Sequence, residues 1–240
     1  MNTIVVAILL LVFIAVLLQF LRRTIRFLKS HKNADWGGST LNVISGLNRL
    51  LSYRYHRLSG DVITLPEHGG AIVVSNHVSG LDALLLIAAC NRPLRFLIAK
   101  EQYERFGIQW LFRSIGCIPV ERQARPQRAF RAALRMLAQG EVVALFPHGA
   151  IHLDDDPPRR LKAGVVKLAK MSGCLIYPVR LDGIKGQGHT LLSIPIRSRA
   201  VLKLGAPIDA KDRDEKACLQ AIAEHIEHPG DLPHKKPVDS

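Results

Sequence analysis

The sequence predicts an α/β fold: a mostly parallel sheet flanked by helices, with an N-terminal membrane-anchoring helix in front. Three observations carry this. From residue 61 onward, short apolar runs of strand length alternate with segments of helical periodicity, the rhythm of βαβ units. Met1–Leu21 contains no charged side chain, and Ile4–Leu18 is nearly all aliphatic. The chain has 240 residues, enough for one good-sized core or for a core plus an anchor.

Taken in order, the first 21 residues just match a hydrocarbon core of ~30 Å at ~1.5 Å of rise per residue. No basic segment precedes this run and no small-residue cleavage site precedes Arg22-Arg23, so it reads as an uncleaved anchor rather than a signal peptide. Arg22, Arg23, Arg26, Lys29 and Lys32 follow at once, and the positive-inside rule then places the bulk of the protein in the cytoplasm. A helix dipping into one leaflet is the alternative. Residues 1–32 are thus an anchor with a basic flank, and 33–60 an amphipathic connecting helix. In it Leu41, Val43, Ile44, Leu47, Leu50 and Leu51 recur at helical spacing, for lying on the membrane or on the core. His56 at its basic end reads as a solvated or interfacial residue.

Residues 61–226 form the α/β domain. Apolar runs predict strands at 71–75, 94–99, 117–121, 141–146 and 174–180, and helices at 82–90, 126–138 and 161–172. Pro126 near its start and Gly140 after its end bracket the second helix. Segments 191–196 and 199–205 read as closing strands, and 213–226 as a last helix. Residues 227–240, with Pro229, Pro233 and Pro237, form a polar tail.

Net charge is +13, which suits either nucleic acid or an anionic membrane surface with phosphorylated ligands. The apolar N-terminus favours the membrane, and no zinc-finger spacing or aromatic RNA-binding signature appears, so no nucleic-acid partner is expected. Cys90, Cys117, Cys174 and Cys218 form no C-x-x-C pair and lie in or beside apolar segments, as reduced buried thiols do.

The chemistry is concentrated in Ser75-Asn76-His77-Val78-Ser79-Gly80-Leu81-Asp82, between a predicted strand and a predicted helix. The carboxyl edge of an α/β sheet is where side chains meet a ligand. An imidazole carries a proton near neutral pH, and a carboxylate fixes its tautomer. Five positions on a straight helix give about 500°, so His77 and Asp82 can meet only if the histidine stays on the turn. Ser79 and Asp82 also have capping-box spacing, so Asp82 reads equally well as a helix cap. Phe146-Pro147-His148-Gly149 follows the apolar run Val142–Leu145 and should reach the same edge. Gly116 to Arg122 puts an arginine at a strand end, either a phosphate contact or an ordinary surface residue. Ile176-Tyr177-Pro178-Val179 reads as a further strand.

In this order and at these intervals the four blocks resemble the glycerolipid acyltransferases related to 1-acylglycerol-3-phosphate acyltransferase. That family carries N-H-x-x-x-x-D, G-x-x-x-x-x-R, F-P-E-G-T-R and a V-P-V-type strand. The resemblance covers about residues 70–180, behind an N-terminal membrane helix of the kind the family often has. It implies an O-acyl transfer in which His77 takes the proton of a lysolipid hydroxyl and Asp82 orients the imidazole. The donor would be acyl-CoA or acyl-carrier protein, as co-substrate and without a cofactor. Asn76, Gly149 and nearby backbone amides would place the acyl carbonyl or its oxyanion, and Arg122 would contact the acceptor phosphate. Lys100, Arg159, Arg160 and Lys162 are further phosphate candidates, each read otherwise as a solvated charge, with Gly116, Phe146, Pro147 and His148 completing the substrate-binding blocks.

One block departs from the family: Phe146-Pro147-His148-Gly149-Ala150-Ile151 has lost the glutamate, threonine and arginine. The lost arginine is a bidentate phosphate donor, so the acceptor is read broadly, as a lysophospholipid or related amphiphilic alcohol. His148, His152, Asp154, Asp155 and Asp156, with His77 and Asp82 opposite, raise a rival, a metal-dependent lipid or phosphate-ester hydrolase. No H-E-x-x-H or other established ligand set appears, and no metal is expected. A non-catalytic lipid-binding relative is the third reading. His189 receives no role. His148 and Arg122 are expected to open to the same cleft as His77.

Overall fold

The structure is a computed structural model that describes residues 3–121 and 126–227. Helix α1 (Thr3–Ser30) buries none of its residues. It runs unbroken through the basic flank, since straight-chain Arg and Lys continue a helix as readily as Leu does. Helix α2 (Ser39–Leu50) crosses it at Gly46, where any Cβ would collide with the Leu28 carbonyl. Leu51–Tyr55 then continues α2 as a π-turn.

The apolar spacing of α2 marks its inward face only in part: Leu41 and Ile44 turn inward, but the most buried positions are polar or small. The buried residues are Asn42, Ser45, Gly46 and Asn48, while Leu47 is 56% exposed. Polar groups can turn inward because they find partners there: Asn42 Oδ1 accepts from the Trp36 amide at 2.9 Å, and Asn48 Nδ2 donates to the Leu84 carbonyl at 2.9 Å. His56 is a second correction. It is fully buried, edge-on to the Tyr55 ring, with its carbonyl accepting from the Ala200 amide.

The sheet has seven strands: β1 (Ser59–Gly60), β2 (Ala71–Ser75), β3 (Leu94–Ala99), β4 (Ile118–Val120), β5 (Val142–Leu145), β6 (Ile176–Asp182) and β7 (Val201–Leu204). Their spatial order is β1-β7-β6-β2-β5-β3-β4, and the five strands from β6 to β4 are mutually parallel. β7 runs antiparallel to β6, and β1 parallel to β7. β2 lies in the middle, Ile72 facing Ile176 on one side and Val143 on the other. The predicted closing strand at 199–205 is β7, but 191–196 is turns and bends rather than strand.

Alternation along the strands divides the core in two. Ala71 and Val73 of β2 face one cluster with Leu81, Leu85 and Leu86 of helix α3 (Leu81–Ala89). Ile72 and Val74 face the other, with Ala133 of α6 (Pro126–Ala138), Val166 of α7 (Gly164–Ser172) and Ile222 of α8 (Glu215–Ile226). A strand buried on both faces reads as an unbroken apolar run, as Ala71–Val74 does. Each such Val, Leu or Ile contributes about 1.5–3 kcal/mol by leaving water. Two short helices, α4 (Lys100–Tyr103) and α5 (Gln109–Ser114), fill a stretch in which no element was expected. Cys90, Cys117 and Cys218 are buried thiols, and burial pushes Cys90 up to about 11 and Cys117 up to about 12.

Candidate active site

Because β2, β5, β3 and β4 are parallel, their carboxyl ends share one edge of the sheet. His77 lies just past β2, off the helix, and Asp82 is the second residue of α3. His77 Nδ1 stands 2.8 Å from Asp82 Oδ2, so the two side chains meet as the turn requires. The same carboxylate also serves the helix end. Oδ2 accepts from the Val78 amide at 2.7 Å and the Ser79 amide at 2.9 Å, and Oδ1 accepts from the Ser79 hydroxyl at 2.9 Å. Capping and histidine pairing therefore coexist, and Asp82, with 0% exposure, is fully supplied with donors. Against an acceptor oxygen a neutral His77 must carry its proton on Nδ1, which leaves the Nε2 lone pair free.

Two neighbours hold the imidazole in place. The ring of Phe146 stacks on it at 3.9 Å between centroids and 10° between planes. The His77 carbonyl accepts from the His152 amide at 2.8 Å, which ties the loop after β5 to the turn after β2. A third brace comes from the loop at 186–190. The Gly188 amide donates to the Val78 carbonyl at 2.9 Å and the Gly80 amide to the His189 carbonyl at 3.1 Å. A Cβ at Gly80 would strike the Thr190 carbonyl. Thus 191–196, read as a strand, belongs to a loop that locks the histidine turn.

A cavity of about 520 Å³ opens at this edge, within the usual range for ligand sites. Of the expected site residues, His77, Phe146, Pro147, Gly149 and Lys162 line it. Much of the rest of the wall is apolar, from α2, α3, β3, α5, α6 and α7. Gly149 has φ +76° and lies under Lys162, whose ammonium occupies the space a Cβ would take. Lys162 makes no ion pair among the described residues.

The other expected residues go elsewhere. Asn76 is buried and its amide bridges to β6: Nδ2 donates to the Leu181 carbonyl and Oδ1 accepts from the Leu181 amide, both at 2.8 Å. The Gly149 amide donates to the Phe146 carbonyl at 2.9 Å within its own turn. Both groups expected at an oxyanion are thus engaged in holding the backbone. Lys100 pairs with Glu121 at 2.9 Å, a contact that raises its pKa, and stands outside the cavity. Gly116 has φ +72° and packs against Arg95, so its role is the turn before β4. Arg159 and Arg160 are exposed and off the cavity wall. Arg122 and the tail from 228 lie outside the described residues.

His148 corrects the expectation of a shared cleft. It is 4% exposed and turned away from the cavity, with Nε2 3.2 Å from Glu227 at the end of α8. The His152 ring lies tilted beside it, 4.5 Å between centroids, and burial, then the nearby His148 and Arg159, push the His152 pKa down. The donors of the metal reading have other partners: His152 Nδ1 lies 3.5 Å from Asp156 Oδ2, and His148 Nε2 faces Glu227. Asp154 pairs with Arg180 at 3.0 Å, Asp156 accepts from the Leu153 amide at 2.8 Å, and among the described residues no three His, Cys, Asp or Glu converge.

Sequence reasoning missed Arg180. It is 5% exposed, donates to Asp182 at 2.7 Å and Asp154 at 3.0 Å, and caps α8 through the Ile226 carbonyl at 2.6 Å. The available signal was a lone arginine ending the apolar run Ile176–Val179, two residues before an aspartate.

Comparisons with known proteins bear on the family and the fold. A family model described as Acyltransferase matches residues 61–182. The chain is 24% identical over 149 residues to a 1-acyl-sn-glycerol-3-phosphate acyltransferase of Bacillus subtilis, covering 62% of this chain and 71% of that one. It is 33% identical over 111 residues to an N-acylphosphatidylethanolamine synthase of Arabidopsis thaliana, covering 42% of this chain and 39% of the relative. The crystal structure of the 1-acyl-sn-glycerophosphate acyltransferase PlsC from Thermotoga maritima superposes with a TM-score of 0.60 at 21% identity, over 79% of this chain and 78% of that one, which is a likeness of fold.

Proposed function

The chain belongs to the acyltransferase family, and from that premise we propose that it moves a fatty acyl group from acyl-CoA or acyl-carrier protein to the hydroxyl of a lysophospholipid or related amphiphilic alcohol. The observation that carries the mechanism is the 2.8 Å contact between His77 Nδ1 and Asp82 Oδ2. It leaves Nε2 as the basic atom, and the stacked Phe146 ring limits the imidazole's rotation.

His77 Nε2 takes the proton of the acceptor hydroxyl as its oxygen attacks the thioester carbonyl. Asp82 stabilises the imidazolium that forms and holds its orientation. As the tetrahedral intermediate collapses, the C–S bond breaks and His77 returns the proton to the leaving thiolate. The products are an ester and a free thiol, without an acyl-enzyme or a cofactor. Lys162 is the cation on the cavity wall and is assigned to the acceptor's anionic headgroup or to the developing oxyanion. The apolar wall suits acyl chains. Residues 1–32 anchor the protein with the domain at 61–226 on the cytoplasmic side, a reading supported by an apolar helix that buries none of its residues and by its basic flank.

The test is direct. Purified protein given an acyl thioester and a panel of lysophospholipids should release free thiol with at least one of them, and His77→Ala should slow that release by roughly 10²–10⁴, the contribution of a general base. An unchanged rate in the variant sinks the mechanism. Thiol release without any acceptor points instead to hydrolysis.

A further inference from the structure

The inward polar face of α2 reaches the cavity. Ser45 and Asn48, three positions apart and on one face of the helix, both line it, at 7% and 8% exposure. Asn48 Nδ2 donates to the Leu84 carbonyl at 2.9 Å, and this bond fixes which way the amide faces. Its Oδ1 is then a buried acceptor with no hydrogen-bond partner among the described residues. Such an orphan is costly and uncommon. Its level along the cavity is set by Leu84, two residues and about 3 Å of helix rise beyond Asp82.

Resting on the acyl-transfer reading above, we propose that Asn48 and Ser45 form a polar subsite in the otherwise apolar α2–α3 wall, which accepts a hydrogen bond from a donor carried on the ligand's chain. The shared chemistry is a hydroxyl or amide N–H on an extended, mostly apolar molecule. It has two sources: a hydroxyl on the fatty acyl chain itself, or an amide of the pantetheine arm that acyl-CoA and acyl-carrier protein have in common. A plain hydrocarbon offers neither. Asn48 Oδ1 accepts the bond, and the Ser45 hydroxyl, able to donate or accept, stands one turn away.

Binding tests this without turnover. The chain has two tryptophans, and Trp36 lines the cavity while Trp110 is 54% exposed, so Trp110→Phe leaves Trp36 fluorescence as the reporter. The full chain in nanodiscs is titrated with hexadecanoyl-CoA, 3-hydroxyhexadecanoyl-CoA and free hexadecanoate. Asn48→Leu should weaken its preferred probe by roughly three- to tenfold, the scale of one neutral hydrogen bond. Selective loss of the 3-hydroxy thioester identifies the acyl hydroxyl. Equal loss of both thioesters, with hexadecanoate unaffected, identifies the pantetheine amide. Ser45→Ala keeps the Leu84 bond intact and should shift the same probe in the same direction. Unchanged binding of all three probes, or equal weakening of all three, overturns the subsite. A parent protein that binds neither thioester overturns the acyl-transfer reading itself.

Discussion

At the scale of single residues, Asp82 shows how one carboxylate fulfils two expectations that looked like rivals. Its two oxygens hold the turn amides, the Ser79 hydroxyl and His77 at once. His56 shows the opposite case, a histidine read as solvated that is entirely buried. Burial pushes its pKa down, against a smaller opposing effect of the Ile194 backbone, and His152 is shifted the same way. The unfolded chain binds a proton at these sites near pH ~6.5, while the folded chain resists it. Stability is therefore greatest above that pH and falls as the pH drops from about 6.5 toward the lower folded values. Urea midpoints measured between pH 7.5 and 5 should fall, and His56→Leu should flatten the slope without abolishing it, because His152 remains. A slope identical to that of the parent protein refutes the assignment to His56.

At the scale of elements, the segments predicted at 71–75, 94–99 and 126–138 coincide with β2, β3 and α6. Each has a strong local signature: a two-sided apolar run, or a proline start with good formers behind it. Helix α2 was legible as a helix but not in its orientation. Leu spacing marks a stripe without saying whether α1, α3, lipid or water will face it. The contact at Gly46 with Leu28 and the bond from Asn48 to Leu84 settle that, and both join residues distant in sequence. Arg180 is the corresponding case among charges. From β6 it joins Asp154, Asp182 and the last turn of α8. Arg180→Leu should lower stability by about 2 kcal/mol, below the usual cost of breaking a buried pair because both aspartates retain some water. The loss should appear as a lower thermal midpoint. Asp154→Asn, which keeps a hydrogen-bonding group, should cost less, and the reverse order counts against this account.

At the scale of the whole molecule, the chain couples an apolar helix, none of whose residues is buried, to a sheet edge that carries a histidine–carboxylate pair. That coupling sets where a reaction at His77 would take place. Alkaline carbonate washing should leave the full-length protein in the membrane pellet, and replacing three of Ile8, Leu11, Phe13 and Leu17 with lysine should release it, since each central lysine costs about 2.5–3.5 kcal/mol in a bilayer. Recovery of the unaltered protein in the wash sinks the anchor.

What the sequence determined by itself is local or periodic. It covers the apolar N-terminus, the βαβ rhythm, the strand–turn–helix at His77 and the order of the four blocks, because burial and backbone preference leave their mark on neighbouring residues. What only the tertiary structure decided depends on alternation and long-range pairing. Within one short block Phe146 stacks on His77 and Gly149 lies beneath Lys162, whereas His148 faces Glu227. Likewise Asn76 clamps β6 instead of meeting a ligand, and α2 brings Ser45 and Asn48 to the cavity beside Leu41 and Ile44. A one-residue change of facing reverses a side chain's surroundings. Which facing wins is set by partners tens of residues away, such as Leu84 for Asn48 and Leu181 for Asn76.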